Sequence, residues 1–142
     1  MATHPKAPFT SAQDAEDAFY DALDECNAEH MAAVWGEGPD IACLLPMHSL
    51  LFGEDVRGLW MPLFAAGAID LQVRHLRWVD LGDLAIHYVQ EWVNPPAGQR
   101  APPPVYATNV FRRDTAGWHL VAHQNSPTPP PPGSMGGPGP AN

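Results

Sequence analysis

The chain has 142 residues, 45% of them hydrophobic and 16% charged, and a formal net charge of −9, a size and composition that suit one domain with its own core. The acidic balance argues against nucleic acid and anionic membranes as partners, because both require clustered Lys and Arg. No apolar stretch reaches the length that spans a bilayer and the N-terminus has no apolar signal segment, so a cytoplasmic protein is expected.

The first predicted element is a helix between Thr10 and His30. Thr10 and Gln13 fit a capping box, in which each side chain satisfies a free amide at the helix start. Apolar residues recur at helical spacing at Ala15, Phe19, Ala22, Leu23 and Cys26. The acidic residues of this region are expected on the solvent-exposed face: Asp14, Glu16, Asp17, Asp21, Asp24, Glu25 and Glu29.

A second, short helix is predicted from about Glu29 to Trp35, and it ends where Gly and Pro interrupt the chain in GEGPD. The run IACLLP is a candidate strand. A third helix is predicted in GEDVRGLWMPLFAAG, although in a helix interior the ring of Pro62 would clash with the carbonyl of Gly58, so a kink or a break is expected there. Its apolar stripe consists of Val56, Leu59, Trp60, Leu63 and Phe64.

From Ala68 onwards the hydrophobic period changes to two, which indicates β-strands. Four strands, mostly antiparallel, are predicted over residues 68–81, 83–94, 105–113 and 117–125. Helices followed by a sheet place the chain in the α+β class. The predicted organisation is an N-terminal arm at 1–10, one domain at 11–127 and a disordered Pro/Gly-rich tail at 128–142.

Polar side chains share one face of the last predicted strand, at His119, His123 and Asn125. Alternation alone does not decide which face of the sheet is internal. Because both faces contain apolar side chains, both are expected to be covered, one by the helices and the other by a second subunit.

The run GDLAIHYVQEWV…TNVFRRDTAGWHLVAHQNSP, preceded by LWMPLFAAGAIDLQVRHLRWVDL, resembles the SnoaL-like branch of the ketosteroid isomerase and nuclear transport factor 2 superfamily. Its final hairpin also resembles the association domain of calcium/calmodulin-dependent protein kinase. The resemblance covers about Ser11 to Pro127. It implies a cone-shaped, cystatin-like fold, in which a curved antiparallel sheet wraps around N-terminal helices and one deep pocket. It also implies a homodimer formed through the outer sheet face.

Alignment on the hairpin turn and Trp118 carries the pocket positions of the association domain onto Glu91, Asn109 and Asn125. Those positions are arginines in that domain, so the resemblance does not imply an anion-binding pocket here. The same strand parity directs His87 and His123 into the cone, whereas His119 lies nearer its edge. The candidate ligand-binding residues are therefore Trp35, Trp60, Phe64, His87, Asn109 and Asn125.

The candidate catalytic residues are Glu91 and His123. A carboxylate in an apolar pocket suits a general base or acid, and a neighbouring histidine can hold or relay the proton. Asn109 and Asn125 suit donation to a carbonyl oxygen as charge develops on it. The prediction is a cofactor-free isomerase, cyclase or hydratase acting on a small apolar or carbonyl-containing organic ligand. The alternative is a non-catalytic binding or dimerising association module.

No metal or other cofactor is expected. His119 and His123 are about 13 Å apart on an extended strand, too far to share one ion. His87, Glu91 and His123 would form a two-histidine, one-carboxylate set if they converged, but no signature spacing supports it. The other singled-out residues are expected to be surface histidines and reduced thiols: His48, His75, Cys26 and Cys43.

Overall fold

The structure, a computed structural model, describes residues 9–127, which form three helices and six strands. The predicted tail and most of the predicted arm lie outside the described residues. The α+β class is confirmed, and a two-residue strand, β2, adds to the predicted elements. The bounds are α1 Ala12–Glu25, α2 Ala28–Val34, β1 Ala42–Leu44, β2 Leu51–Phe52, α3 Glu54–Ala65, β3 Leu71–Asp80, β4 Leu84–Val93, β5 Val105–Asp114 and β6 Gly117–Asn125.

The strands form one curved, open sheet in the order β2-β1-β6-β5-β4-β3. The four long strands β3 to β6 are antiparallel neighbours, as their alternating sequences predict, and β1 pairs with β6 in parallel. The helices cover the concave face of this sheet. No helix among residues 9–127 has the length and apolar character needed to cross a membrane.

Helix α1 begins one residue later than the capping-box prediction, which is therefore wrong in detail. Ser11, not Thr10, is the N-cap, and its hydroxyl accepts the backbone N–H of Asp14 at 3.0 Å. The side chain of Gln13 donates instead to the carboxylate of Asp17. Cys26 then ends the helix in the left-handed conformation, with φ 53° and ψ 41°.

Helix α3 continues through Pro62 to Ala65, so the predicted break does not occur. The helix loses the one hydrogen bond that an N–H at position 62 would donate to the carbonyl of Gly58, and the buried side chains of Trp60 and Phe64 hold both sides of Pro62. At the other end of this helix the guanidinium of Arg57 donates to backbone carbonyls at the end of α2, including that of Ala32 at 2.9 Å. This contact joins the two helices.

The core between the helices and the sheet is aromatic. The ring of Phe19 meets those of Trp35 and Trp60 edge-on, at centroid distances of 6.3 and 5.9 Å, and Trp60 in turn packs against Phe64 at 5.9 Å. These four rings are at most 8% exposed. They fix α1, α2 and α3 over the sheet.

Two irregularities in the strands change which side chains face the helices. The pairing of β5 with β6 shifts between Val110 and Phe111, so that Phe111 pairs with Leu120, and Val121 is the extra residue of a bulge. His119 pairs with Arg112 and points away from the internal face of Phe111. The expectation that His119 shares the parity of His123 is therefore wrong, because the bulge separates them. A second shift lies in β3 between His75 and Arg77.

Candidate functional site

A network of hydrogen-bonded polar side chains lies inside the sheet. In the described part of the chain seven polar or charged residues are buried, and all but His119 belong to this network. Burial of so many polar groups is favourable only when each finds a partner. The buried members are Glu16, His87, Glu91, Asn109, His123 and Asn125, with Tyr20 and His75 completing the set.

His123 is the centre of the network. Its Nδ1 lies 2.5 Å from Oδ1 of Asn109, and its Nε2 lies 2.9 Å from Oδ1 of Asn125. The amide nitrogen of Asn109 donates to Oε2 of Glu16 at 2.8 Å, and that of Asn125 donates to Oε1 of Glu91 at 3.0 Å. Two buried carboxylates are thus connected to one imidazole through two amides.

The two carboxylates determine how the asparagines face His123. A carboxylate only accepts, so each asparagine must present its NH₂ group to a carboxylate and its oxygen to the imidazole. Both ring nitrogens of His123 therefore face acceptor oxygens. The Nε2 atom of His123 also lies 3.9 Å from Oε2 of Glu91. The hydrogen bonds of the network offset part of the cost of burying these polar groups.

Tyr20 and Cys43 remain protonated beside this network. The hydroxyl of Tyr20 donates to Oε2 of Glu91 at 2.7 Å and accepts from Asn109 at 3.1 Å. Burial, and then the negative charge of Glu91, raise the pKa of Tyr20 well above its usual value. The same two causes, in the same order, raise the pKa of Cys43 to about 12, so this thiol is not an available nucleophile.

Glu16 is ionised although it is 1% exposed. Burial is the largest single influence and acts to raise the pKa of Glu16, but hydrogen bonds from His87, His75 and Asn109 together outweigh it and lower the pKa below the usual value. Its Oε1 lies 2.5 Å from Nε2 of His75 and 3.0 Å from Nδ1 of His87. Glu16 was expected on the solvent-exposed face of α1, and that expectation is wrong.

A cavity of about 240 Å³ opens beside the Glu91 end of the network. Its polar end is formed by Glu91, His123 and Asn125, and His48 lies at another part of its wall. Apolar side chains and prolines make up the remaining walls. These are Leu23, Leu45, Pro46, Leu63, Ile69, Leu71, Val93, Pro102, Pro103 and Val105.

Of the residues singled out in the sequence, Glu91, His123 and Asn125 line the cavity together. Asn109 is one hydrogen bond behind His123. His87 belongs to the Glu16 end, so it does not converge with Glu91 and His123 into the alternative metal set. Trp35, Trp60 and Phe64 are placed in the aromatic core and are not among the residues that line the cavity, which corrects the expectation that they bind the ligand.

Four residues that belong to the network or line the cavity were not predicted as site residues from the sequence: Glu16, Tyr20, His48 and His75. A signal for Glu16 was present, because residues 12, 16, 19 and 23 follow one helical stripe and the other three are apolar. Tyr20 is adjacent to that stripe. His75 was expected at the surface, and its side chain is indeed one-third exposed, at 33%, but its ring nitrogen reaches Glu16. His48 gave no periodic signal, since it lies in a loop.

The comparisons with known proteins agree with the fold. A family model described as a SnoaL-like domain matches residues 13–130. Among solved structures, a Thiobacillus denitrificans protein provisionally named a calcium/calmodulin-dependent protein kinase type II association domain is 35% identical, with a TM-score of 0.77, over 84% of this chain and 97% of that one. No curated protein matches.

Two further solved structures carry different descriptions. A Streptomyces avermitilis protein, provisionally named a dehydratase of the nuclear transport factor 2-like family, is 26% identical with a TM-score of 0.68, over 82% of this chain and 93% of that one. A Nostoc punctiforme protein of unknown function with a cystatin-like fold is 16% identical with a TM-score of 0.63, over 89% and 99% of the two chains. The second likeness concerns the fold alone.

Proposed function

The chain belongs to the SnoaL-like domain family, and from that premise we propose that it binds a small carbonyl-containing organic molecule in the apolar cavity and moves a proton next to the carbonyl. The observation that carries the proposal is the composition of the cavity, in which apolar walls end at Glu91, His123 and Asn125. Ligand sites combine mainly apolar walls with a few fixed polar groups in this way.

In the proposed reaction Glu91 is the general base. Its carboxylate is 6% exposed, lines the cavity and is held by donors from Tyr20 and Asn125, one on each oxygen. Each oxygen keeps a second lone pair for a substrate proton. Because both donors are fixed by the network, the carboxylate is oriented before the substrate arrives.

His123 has an electrostatic role in this proposal. It lies on the cavity wall, 3.9 Å from Glu91. When Glu91 takes a proton, the negative charge moves to the substrate oxygen as an enolate, and His123, with a proton on each ring nitrogen in this step, stabilises that charge. His123 therefore acts as a fixed charge and not as a second base.

The enolate has two outcomes consistent with this site. Return of the proton from Glu91 to a different carbon gives isomerisation, and expulsion of a hydroxyl group from the β-carbon gives dehydration. The name of the Streptomyces avermitilis neighbour favours dehydration. His48 is the third ionisable residue on the cavity wall, and in the dehydration it supplies the proton that the departing hydroxyl needs.

Blocking the cavity is expected to weaken ligand binding at least tenfold. Val93 lines the cavity and is 45% exposed, so Val93→Trp fills the space without disturbing the core. Tyr88→Trp is the matched control, because Tyr88 is 39% exposed on the opposite face of the same strand. Titration of a panel of small cyclic ketones, followed by NMR, measures the effect. Equal affinity of Val93→Trp and the unchanged protein would place the ligand elsewhere.

A second candidate function, a dimerising association module, is favoured by the outer face of the sheet. Tyr88 and Tyr106 are 39% and 50% exposed on that face, on the neighbouring strands β4 and β5. The named association domain from Thiobacillus denitrificans is 35% identical. Exposed aromatic side chains of this kind are enriched where protein surfaces associate. We propose a homodimer paired through this face.

The homodimer is expected to dissociate when both tyrosines become lysines, since charged groups are costly at the centre of an interface. Sedimentation velocity of Tyr88→Lys/Tyr106→Lys should give a monomer at concentrations where the unchanged chain is a dimer. Met61→Lys is the control, because Met61 is 74% exposed on α3, away from the sheet. A monomer for the unchanged chain would reject the association module and leave the cavity proposal intact.

A further inference from the structure

A separate group of potential metal ligands lies at the β3 edge of the sheet, at the opposite end of the network from the apolar cavity. Glu16 of α1, His75 of β3 and His87 of β4 each bring one donor atom to within 4.8 Å of the others. Oε1 of Glu16 is the shared point, 2.5 Å from Nε2 of His75 and 3.0 Å from Nδ1 of His87. Three elements distant in sequence thus converge on one oxygen.

We propose that Glu16, His75 and His87 bind a divalent first-row transition metal ion, with water completing its coordination. Two imidazole nitrogens and one carboxylate oxygen are a set that zinc, cobalt and ferrous iron accept. Ligand atoms about 2.0–2.2 Å from one ion are about 3–3.5 Å from one another. The contacts between Glu16 and the two rings need only a small outward shift to reach that spacing.

The surroundings hold the three ligands in place. The amide of Asn109 donates to Oε2 of Glu16 at 2.8 Å, which orients the carboxylate and leaves Oε1 for an ion. The ring of Trp78 stacks on His87 at 4.8 Å and 13°, and meets His75 edge-on at 4.9 Å. Both imidazoles are therefore held in fixed planes, as outer contacts hold ligands at known metal sites.

An aqueous entrance reaches this cluster independently of the apolar cavity. A cavity of about 440 Å³ between α1 and β3 is lined by Glu16 and His75, and none of its lining residues belongs to the apolar cavity. Asp17 and Asp21 lie on its rim. Their negative charges attract cations, and the open space has room for the water ligands of an ion.

The same three side chains also satisfy one another without an ion, because each imidazole can donate an N–H to Glu16. A metal ion takes the place of those protons at the coordinating nitrogens, and each proton moves to the other ring nitrogen or to solvent, so the N–H donors to Glu16 are lost. A titration that detects inner-sphere coordination distinguishes the two states directly.

The test is a cobalt titration of the untagged full chain after chelator treatment, followed by visible absorption. One saturable equivalent of Co²⁺ is expected, with bands of a nitrogen- and oxygen-ligated ion, and Zn²⁺ should displace it. His75→Ala should weaken binding at least tenfold. Because His75 is 33% exposed, this variant should keep the fold, which circular dichroism checks. All titrations use a His4→Ala background, so that a histidine near the N-terminus does not contribute.

The matched control is His30→Ala, because the side chain of His30 is 35% exposed and belongs to α2, outside the cluster. It should leave the titration unchanged. A second measurement is protection of His75 from acylation by diethyl pyrocarbonate in the presence of Zn²⁺, read by mass spectrometry. The proposal would be overturned if the chain bound no saturable equivalent of Co²⁺, or if His75→Ala bound Co²⁺ as tightly as the background chain. It would also be overturned if Zn²⁺ did not protect His75 from acylation. None of these readouts depends on the proposed reaction.

Discussion

Replacing Glu16 with glutamine is expected to lower the free energy of unfolding by about 1–3 kcal/mol, the cost of leaving a buried hydrogen-bond donor without its acceptor. Glu16 is 1% exposed and accepts hydrogen bonds from His75, His87 and Asn109. A glutamine keeps the size of the side chain but directs an NH₂ group at one set of these donors. At least one buried donor then loses its acceptor.

Urea denaturation of chelator-treated protein measures this loss without any contribution from a metal ion. The control is Asp24→Asn, which removes the same charge from an exposed position of the same helix and should stay within about 0.5 kcal/mol of the unchanged chain. A change below 1 kcal/mol for Glu16→Gln would mean that Glu16 is hydrated or protonated in the folded chain, and the network as described would be incorrect.

Most of the fold could be predicted from the sequence, because the hydrophobic period is a local property of each element. The stripe of α1 from Ala15 to Leu23 and the alternation of β4 each decide one element and its buried face. The parity of β4 also assigned Glu91 correctly to the internal face, since β4 has no bulge among its pairs with β5. Regular elements transmit side-chain direction reliably along their length.

The features that were not predicted from the sequence have different causes. The bulge at Val121 places His119 and His123 on opposite faces of the sheet, and no residue type in β6 predicts this bulge. Glu16 was assigned to solvent from its charge, although its spacing matched the buried stripe. Its partners, His75 and His87, lie 59 and 71 residues away, so only the tertiary fold reveals that a buried carboxylate there is paired.

The hydrogen-bond network connects the edge cluster around Glu16 with the cavity at Glu91. His123 holds both asparagines, and each asparagine holds one carboxylate, so neither Glu16 nor Glu91 is oriented independently of the other. A perturbation at the edge cluster is therefore expected to reach the cavity through two amides and one imidazole. Coupling of this kind is expected to be measurable as a double-mutant interaction between the two glutamates.

Glu91→Gln is expected to lower the rate of proton abstraction from a bound ketone by about 10²–10⁴-fold, the usual contribution of a positioned general base. Glutamine has the size of glutamate and still offers one acceptor oxygen to Tyr20, but its amide cannot take a proton from carbon at neutral pH. Exchange of α-protons in D₂O, followed by NMR on a ketone that the cavity binds, measures this step even when no complete turnover occurs.

Two variants separate the loss of the base from disturbance of the network. Tyr20→Phe removes the hydrogen bond that Tyr20 donates to Glu91 at 2.7 Å but keeps the carboxylate, so its exchange rate should fall much less than that of Glu91→Gln. Glu54→Gln changes the same residue type at an exposed position of α3 and should have no effect. If all three variants exchange α-protons at the rate of the unchanged chain, Glu91 is not a base, and the cavity binds its ligand without chemistry. A loss in Glu91→Gln that far exceeds the loss in Tyr20→Phe assigns the proton transfer to this carboxylate, because only Glu91→Gln removes the accepting group.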